Sequence, residues 1–159
     1  MSTPVLRLWR KLEARPFGKR VFSWIICHKA PYFTSIAPRM ASLEPGRGEA
    51  TIAQRRRVTN HIGTVHAIAL CNLAEFVGGL TCDVSLPASM RWIPKGMTVE
   101  YLKKANGTQR AVATPAFPPR EAGDGYDLPM DVVVTDPDGD TTFTARIAMW
   151  VSPRARRPG

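Results

Sequence analysis

"GTVHAIALCNLAEFVGGLTC", residues 63–82, is a long apolar run with a single carboxylate, Glu75, near its middle. A helix apolar on nearly all sides must be covered on nearly all sides, by protein or by lipid. Thr59, Asn60, His61 and Thr64 stand just before or within its start and make it a poor membrane span. It therefore reads as the buried helix of a soluble protein. An ionised carboxylate in such surroundings costs several kcal/mol unless something pairs with it or uses it.

The flanking sequence supplies the cover. Residues 4–14 place Val5, Leu8, Trp9 and Leu12 on one helical face. After Pro16 a second short helix carries Phe17, Val21, Trp24 and Ile25. Packing of both helices against the domain is the preferred reading, and peripheral membrane contact through a basic amphipathic surface the lesser one. From residue 33, two strands flank a turn at Pro45-Gly46-Arg47-Gly48. Beyond the apolar run come about four more strands. In the first, Met97, Val99 and Tyr101 alternate with Thr98 and Glu100, as in a half-buried strand. The last two form a hairpin around Asp136-Pro137-Asp138-Gly139. Short connections imply an antiparallel sheet, and a sheet wrapped around the helix gives an α+β fold.

The 159 residues fit one domain with a real core. Three organisational parts are expected: a helical extension over 1–31, the sheet-and-helix domain over 32–152, and a basic tail over 153–159 with Arg154, Arg156 and Arg157. Cys27, Cys71 and Cys82 cannot all pair and show no metal-binding spacing, so reduced thiols, no metal and a cytoplasmic setting are expected. No hydrophobic segment of the signal-peptide type opens the chain. The formal charge of +9 calls for an anionic partner. Aromatic residues do not interleave with the basic clusters, so nucleic acid is not the preferred partner.

His66 and Ala67 stand where the helix begins and free N–H groups collect, a place suited to an anion or a developing oxyanion. Glu75 follows His66 by nine residues, about 13 Å along one helix. One helix cannot bring both to the same carbonyl, but two antiparallel helices of a two-fold dimer can. Asn72 precedes Glu75 by a turn, and Gly78 and Gly79 follow it. The small residues leave room for a ligand or permit close helix packing. The non-functional alternatives are a carboxylate that emerges at a gap in the sheet and one paired with a buried Arg.

"NHIGTVHAIALCNLAE", residues 60–75, resembles the Asn-x-x-Gly-x-x-His-Gly-Gly…Asp signature of hotdog-fold acyl-CoA thioesterases of the phenylacetyl-CoA thioesterase group. The layout from about Phe33 to Val151 is closer still to the hotdog branch known as DUF4442. Asn60, Gly63, His66 and the acid at 75 keep the spacing. Glu75 replaces the usual Asp, Ala67 and Ile68 replace the two glycines, and Pro94 takes the place of a strand hydroxyl. The resemblance implies a hotdog fold and hydrolysis of an acyl-CoA or related thioester at a dimer interface. It implies that the Ala67 amide binds the thioester oxygen and that the partner's Glu75 serves as general base or nucleophile. Asn60 would orient carbonyl or water, and His66 would fix the loop.

Gly63, Asn72, Gly78 and Gly79 are then candidates for substrate contact, and Arg55, Arg56, Arg57 and Lys95 for the phosphates of coenzyme A. Coenzyme A enters as part of the substrate; no separate cofactor is expected. A homodimer or tetramer is the expected assembly. The alternative is a non-catalytic hotdog protein that binds acyl-CoA or a fatty acyl group. A hotdog hydratase or dehydratase ranks last, for want of a catalytic His paired with an acid.

Overall fold

Thr3 opens the first helix in the computed structural model, which describes residues 2–154. Its hydroxyl accepts the N–H of Leu6 at 3.3 Å, and Pro4 occupies the first turn, where no backbone donor is needed. The elements are α1 (Pro4–Leu12), α2 (Gly18–Lys29), a 3-10 turn (Pro31–Ser35), β1 (Arg39–Glu44), β2 (Arg47–Ile52), a second 3-10 turn (Arg56–Val58), α3 (Ala67–Ser85), β3 (Met90–Tyr101), β4 (Gln109–Pro115), β5 (Tyr126–Thr135) and β6 (Thr141–Pro153). Arg156 and Arg157 of the basic tail lie outside the described residues.

All strands pair antiparallel, in the order β1-β2-β4-β5-β6-β3. The sheet closes over α3, whose Leu73, Ala74, Phe76, Val77 and Cys82 are almost wholly buried. Although α3 is long and apolar enough to cross a bilayer, the sheet and α1 cover most of it. The segment before β1 departs from the strand expected there. Pro31 opens a 3-10 turn, and the Thr34 hydroxyl donates to the Pro31 carbonyl at 2.6 Å.

The two sheet edges differ. At β1, α2 lies alongside: the Ser23 hydroxyl oxygen accepts the Met40 N–H at 2.8 Å, and Lys19 Nζ donates to the Ala41 carbonyl at 2.6 Å, at a bulge. These contacts satisfy edge groups that would otherwise invite another strand. Among the described residues β3 pairs only with β6, and most of its residues are exposed. The half-buried strand expected here is thus an open edge, with Met97 and Tyr101 facing α3 but uncovered on their far side.

The packing face expected for α2 is also corrected. Phe22, Ile26 and Cys27 are buried, whereas Phe17, Val21 and Trp24 point to solvent. Phe22 meets Trp9 of α1 edge to face, with ring centroids 5.0 Å apart. Gly18 is needed at this junction, because a Cβ there would stand 1.8 Å from the Leu12 carbonyl oxygen. The reversal holds Phe17 at φ 60°, a left-handed backbone that costs a non-glycine residue roughly 1 kcal/mol.

Candidate functional site

α3 starts at a loop that Asn60 closes. Asn60 Oδ1 accepts the N–H groups of Ile62 and Thr64, both at 3.1 Å, and its Nδ2 donates to Thr64 Oγ1 at 2.9 Å. Gly63 turns this loop at φ 81°, and its carbonyl accepts Gln54 Nε2 at 2.6 Å. Gly63 therefore shapes the loop and presents no side chain to a ligand. His66 is the N-cap, its Nδ1 accepting the Ile68 N–H at 3.0 Å. The His66 carbonyl takes the N–H groups of Ala69 and Leu70. Of the first four amides in α3, only that of Ala67 has no protein partner among the described residues. Ala67 lines a cleft of about 380 Å³ with Asn60, Thr64, Tyr101 and Lys104. A free N–H at the positive end of a 19-residue helix can hold an anion or stabilise a developing oxyanion.

Glu75 lies two turns further along. It is exposed, not buried, so the desolvation cost read from the sequence does not arise in the single chain. No ion pair of Glu75 exists among the described residues, so the buried-Arg alternative is absent there. The carboxylate stands in a cleft of about 270 Å³ with Pro94, Lys95, Gly96, Met97 and Ile147. The register of β3 against β6 slips between Pro94 and Gly96, and this bulge forms the wall opposite Glu75. Lys95 is held by Asp127 at 3.0 Å and lies 5.1 Å from the Trp150 ring centroid.

Between the two clefts Tyr101 reaches α3, its hydroxyl 3.2 Å from Cys71 Sγ. The hydrogen bond with Cys71, with a smaller contribution from burial, pushes the Tyr101 phenol up to about 12. Sequence reading placed Tyr101 on the strand but not in the site. Its signal was the alternation with Met97 and Val99, which puts all three on the side of the helix.

Other candidates separate from this groove. Gly78 and Gly79 leave no room for a ligand: added Cβ atoms would stand 2.8 Å from Ile147 Cδ1 and 2.8 Å from Trp92 Cη2. They allow close packing of α3 against β6 and β3. Asn72 is buried beside a different cleft, with Arg57, His66 and Tyr32. Its Nδ2 donates to Ser35 Oγ at 3.1 Å, and its Oδ1 is unpaired among the described residues. Arg55 Nη2 donates to the Ile36 carbonyl at 2.8 Å, which ties it to the fold. Arg56 and Arg57 are exposed. One chain thus brings Asn60 to Ala67 but leaves Glu75 about 12 Å along the helix.

The family model described as "Domain of unknown function (DUF4442)" matches residues 18–151. The chain belongs to the DUF4442 family. Structural-genomics target APC5556 is 45% identical to this DUF4442 protein, with a TM-score of 0.80 over 94% of this chain and 98% of that one. Thioesterase HI1161 from Haemophilus influenzae superposes with a TM-score of 0.70 at 15% identity, over 84% of this chain and 91% of that one. Thioesterase SAV0944 from Staphylococcus aureus gives 0.67 at 14% identity, over 77% of this chain and 99% of its own. At such identities the likeness establishes the hotdog fold alone. No curated protein sequence matches the chain.

Proposed function

We propose that this DUF4442 protein hydrolyses acyl-CoA thioesters at sites formed between the subunits of a homodimer. The observation that carries the reading is Glu75, exposed and unpaired in the groove between α3 and the β3 bulge, on the helix whose Ala67 amide is free. The open edge of β3 supports the assembly, since antiparallel pairing with a second β3 would satisfy it and set α3 beside its copy. The Ala67 amide of one subunit and Glu75 of the other then share one substrate. The thioesterase names of HI1161 and SAV0944 support the reaction class.

The chemistry follows from the groups present. Water attacks the thioester carbonyl as Glu75 takes its proton, and the Ala67 N–H receives the negative charge that builds on oxygen. The C–S bond then breaks, leaving the carboxylic acid and the coenzyme A thiol. In the alternative route Glu75 attacks the carbonyl itself, the C–S bond breaks to release the coenzyme A thiolate, and water cleaves the resulting mixed anhydride to the carboxylic acid and free Glu75. Arg56, Arg57 and Lys104, exposed near the helix start, supply charge for the nucleotide phosphates. The three cysteines are free, in keeping with a reducing cytoplasm.

One observation favours a second reading, an acyl-CoA binder without turnover: the Asn60 amide is engaged in its own loop, and Pro94 offers no hydroxyl to the cleft. Turnover of an acyl-CoA panel, followed by thiol release, separates the two. Hydrolysis should occur and fall by about 10² to 10⁴ in Glu75→Gln, with fold and dimer intact. Saturable binding with no thiol released would establish the binder instead.

A further inference from the structure

α2 carries two apolar faces on opposite sides, and among the described residues only one has a partner. Phe22 and Ile26 enter the core, while Phe17, Val21 and Trp24 form a stripe at helical spacing on the far side. Phe17 is 73% exposed and Trp24 67%, with Tyr32 of the following 3-10 turn at 73%. Phe17 keeps its ring outward from a left-handed backbone, an unfavourable arrangement for an aromatic residue that gains no burial by it. Trp24 stacks on His28 at 5.5 Å, and Arg20 lies 5.9 Å from the Phe17 ring centroid.

The charge around this stripe is mostly positive, with Glu13 beside Phe17 as the one acid of the segment. Residues 1–39 contain eight Lys and Arg side chains and a single acid, Glu13. Arg20 and Arg39 line a cleft of about 320 Å³ beside Trp24. A protein partner would need its own apolar patch ringed by acids. An anionic bilayer offers both chemistries everywhere on its surface: headgroup phosphates and carboxylates for the arginines, and an acyl boundary for the rings. The face lies at the β1 side of the sheet, the opposite edge from β3, so its occupation leaves the α3–β3 groove open.

We propose that α2 docks this protein peripherally on anionic phospholipid membranes, with Phe17, Val21 and Trp24 entering the interface and Arg20 and Arg39 meeting headgroups. The inference stands independently of the thioesterase reading. Its test is co-sedimentation of the full chain with phosphatidylcholine vesicles with and without phosphatidylserine. The protein should bind only the anionic vesicles, and added salt should weaken the binding. The double variant Phe17→Asn, Trp24→Gln should lower vesicle affinity about tenfold or more. Asn tolerates the left-handed backbone and Gln the helix interior, so the thermal midpoint should hold. Equal binding by variant and wild type, or no binding to anionic vesicles, overturns the proposal. So does a change in sedimenting mass in the double variant, which would make this face a contact between copies.

Discussion

The Tyr101 hydroxyl lies 3.2 Å from Cys71 Sγ, and this bond links the open edge strand to the central helix between the two clefts. It holds the phenol neutral to unusually high pH, up to about 12. The raised value means that the bond's contribution to stability is complete below the ordinary phenol pKa, about 10, and fades as pH rises through the folded value. Cys71→Ala should bring the Tyr101 titration, followed by ultraviolet absorbance, back toward about 10. An unmoved titration would show that the hydrogen bond is not its cause.

His66 acts through its cap. His66→Ala should cost about 0.5–2 kcal/mol, and His66→Asn, which also caps, should restore most of that loss. If thioester turnover is found, His66→Asn should retain it. Loss of turnover in a fully stable His66→Asn protein would assign the imidazole a chemical task.

Gly79 faces the ring of Trp92 closely enough that a methyl collides. Gly79→Ala should destabilise the protein by about 1–3 kcal/mol. Adding Trp92→Phe, which removes the colliding ring edge, should recover part of the loss, as thermal or denaturant unfolding would register. Additive losses would rule out this contact as the source of strain.

Asp136 closes the β5–β6 turn, Oδ1 accepting the N–H groups of Asp138 and Asp140 while Oδ2 meets Lys103 at 2.7 Å. The Lys103 hydrogen bond, opposed by burial and aided by the backbone donors, holds this carboxyl below the usual range. Its contribution is therefore present above about pH 4 and lost as pH falls through the lower folded value. Asp136→Asn should lower the melting temperature at neutral pH, and the gap should close in acid. A gap that is constant with pH would remove the ion pair from the account.

The sequence displayed the helix and the β1–β2 and β5–β6 hairpins because these are local patterns, but not the pairing of β3 with β6, which are distant in the chain. The apolar run had only one kind of home, and the turns at residues 45–48 and 136–139 joined antiparallel neighbours, whereas the short loop from β3 to β4 crosses the sheet. Nor did the sequence display which faces stay bare. The alternation of Met97, Val99 and Tyr101 says that they share a side, not that the side is covered within one chain. On α2 the sequence holds two stripes, Phe22 with Ile26 and Phe17 with Val21 and Trp24, and periodicity alone cannot rank them. Gly78 and Gly79 read as free volume because their size is local information. Ile147 and Trp92, which fill that volume, are distant in sequence. Asn60 showed its spacing from His66, but not that its amide is bonded within its own loop.

The unequal edges of the sheet limit how the chain can polymerise. A strand-pairing protein with both edges bare can add copies at either end and grow into a fibre. Here Lys19 and Ser23 occupy backbone groups of the β1 edge, whereas β3 is bare. Pairing between two copies of β3 would use up that edge on each, and a third copy would meet a β1 edge that α2 partly closes. α2 thus works against growth at the β1 edge, so that edge-to-edge addition is favoured at one end of the sheet over the other.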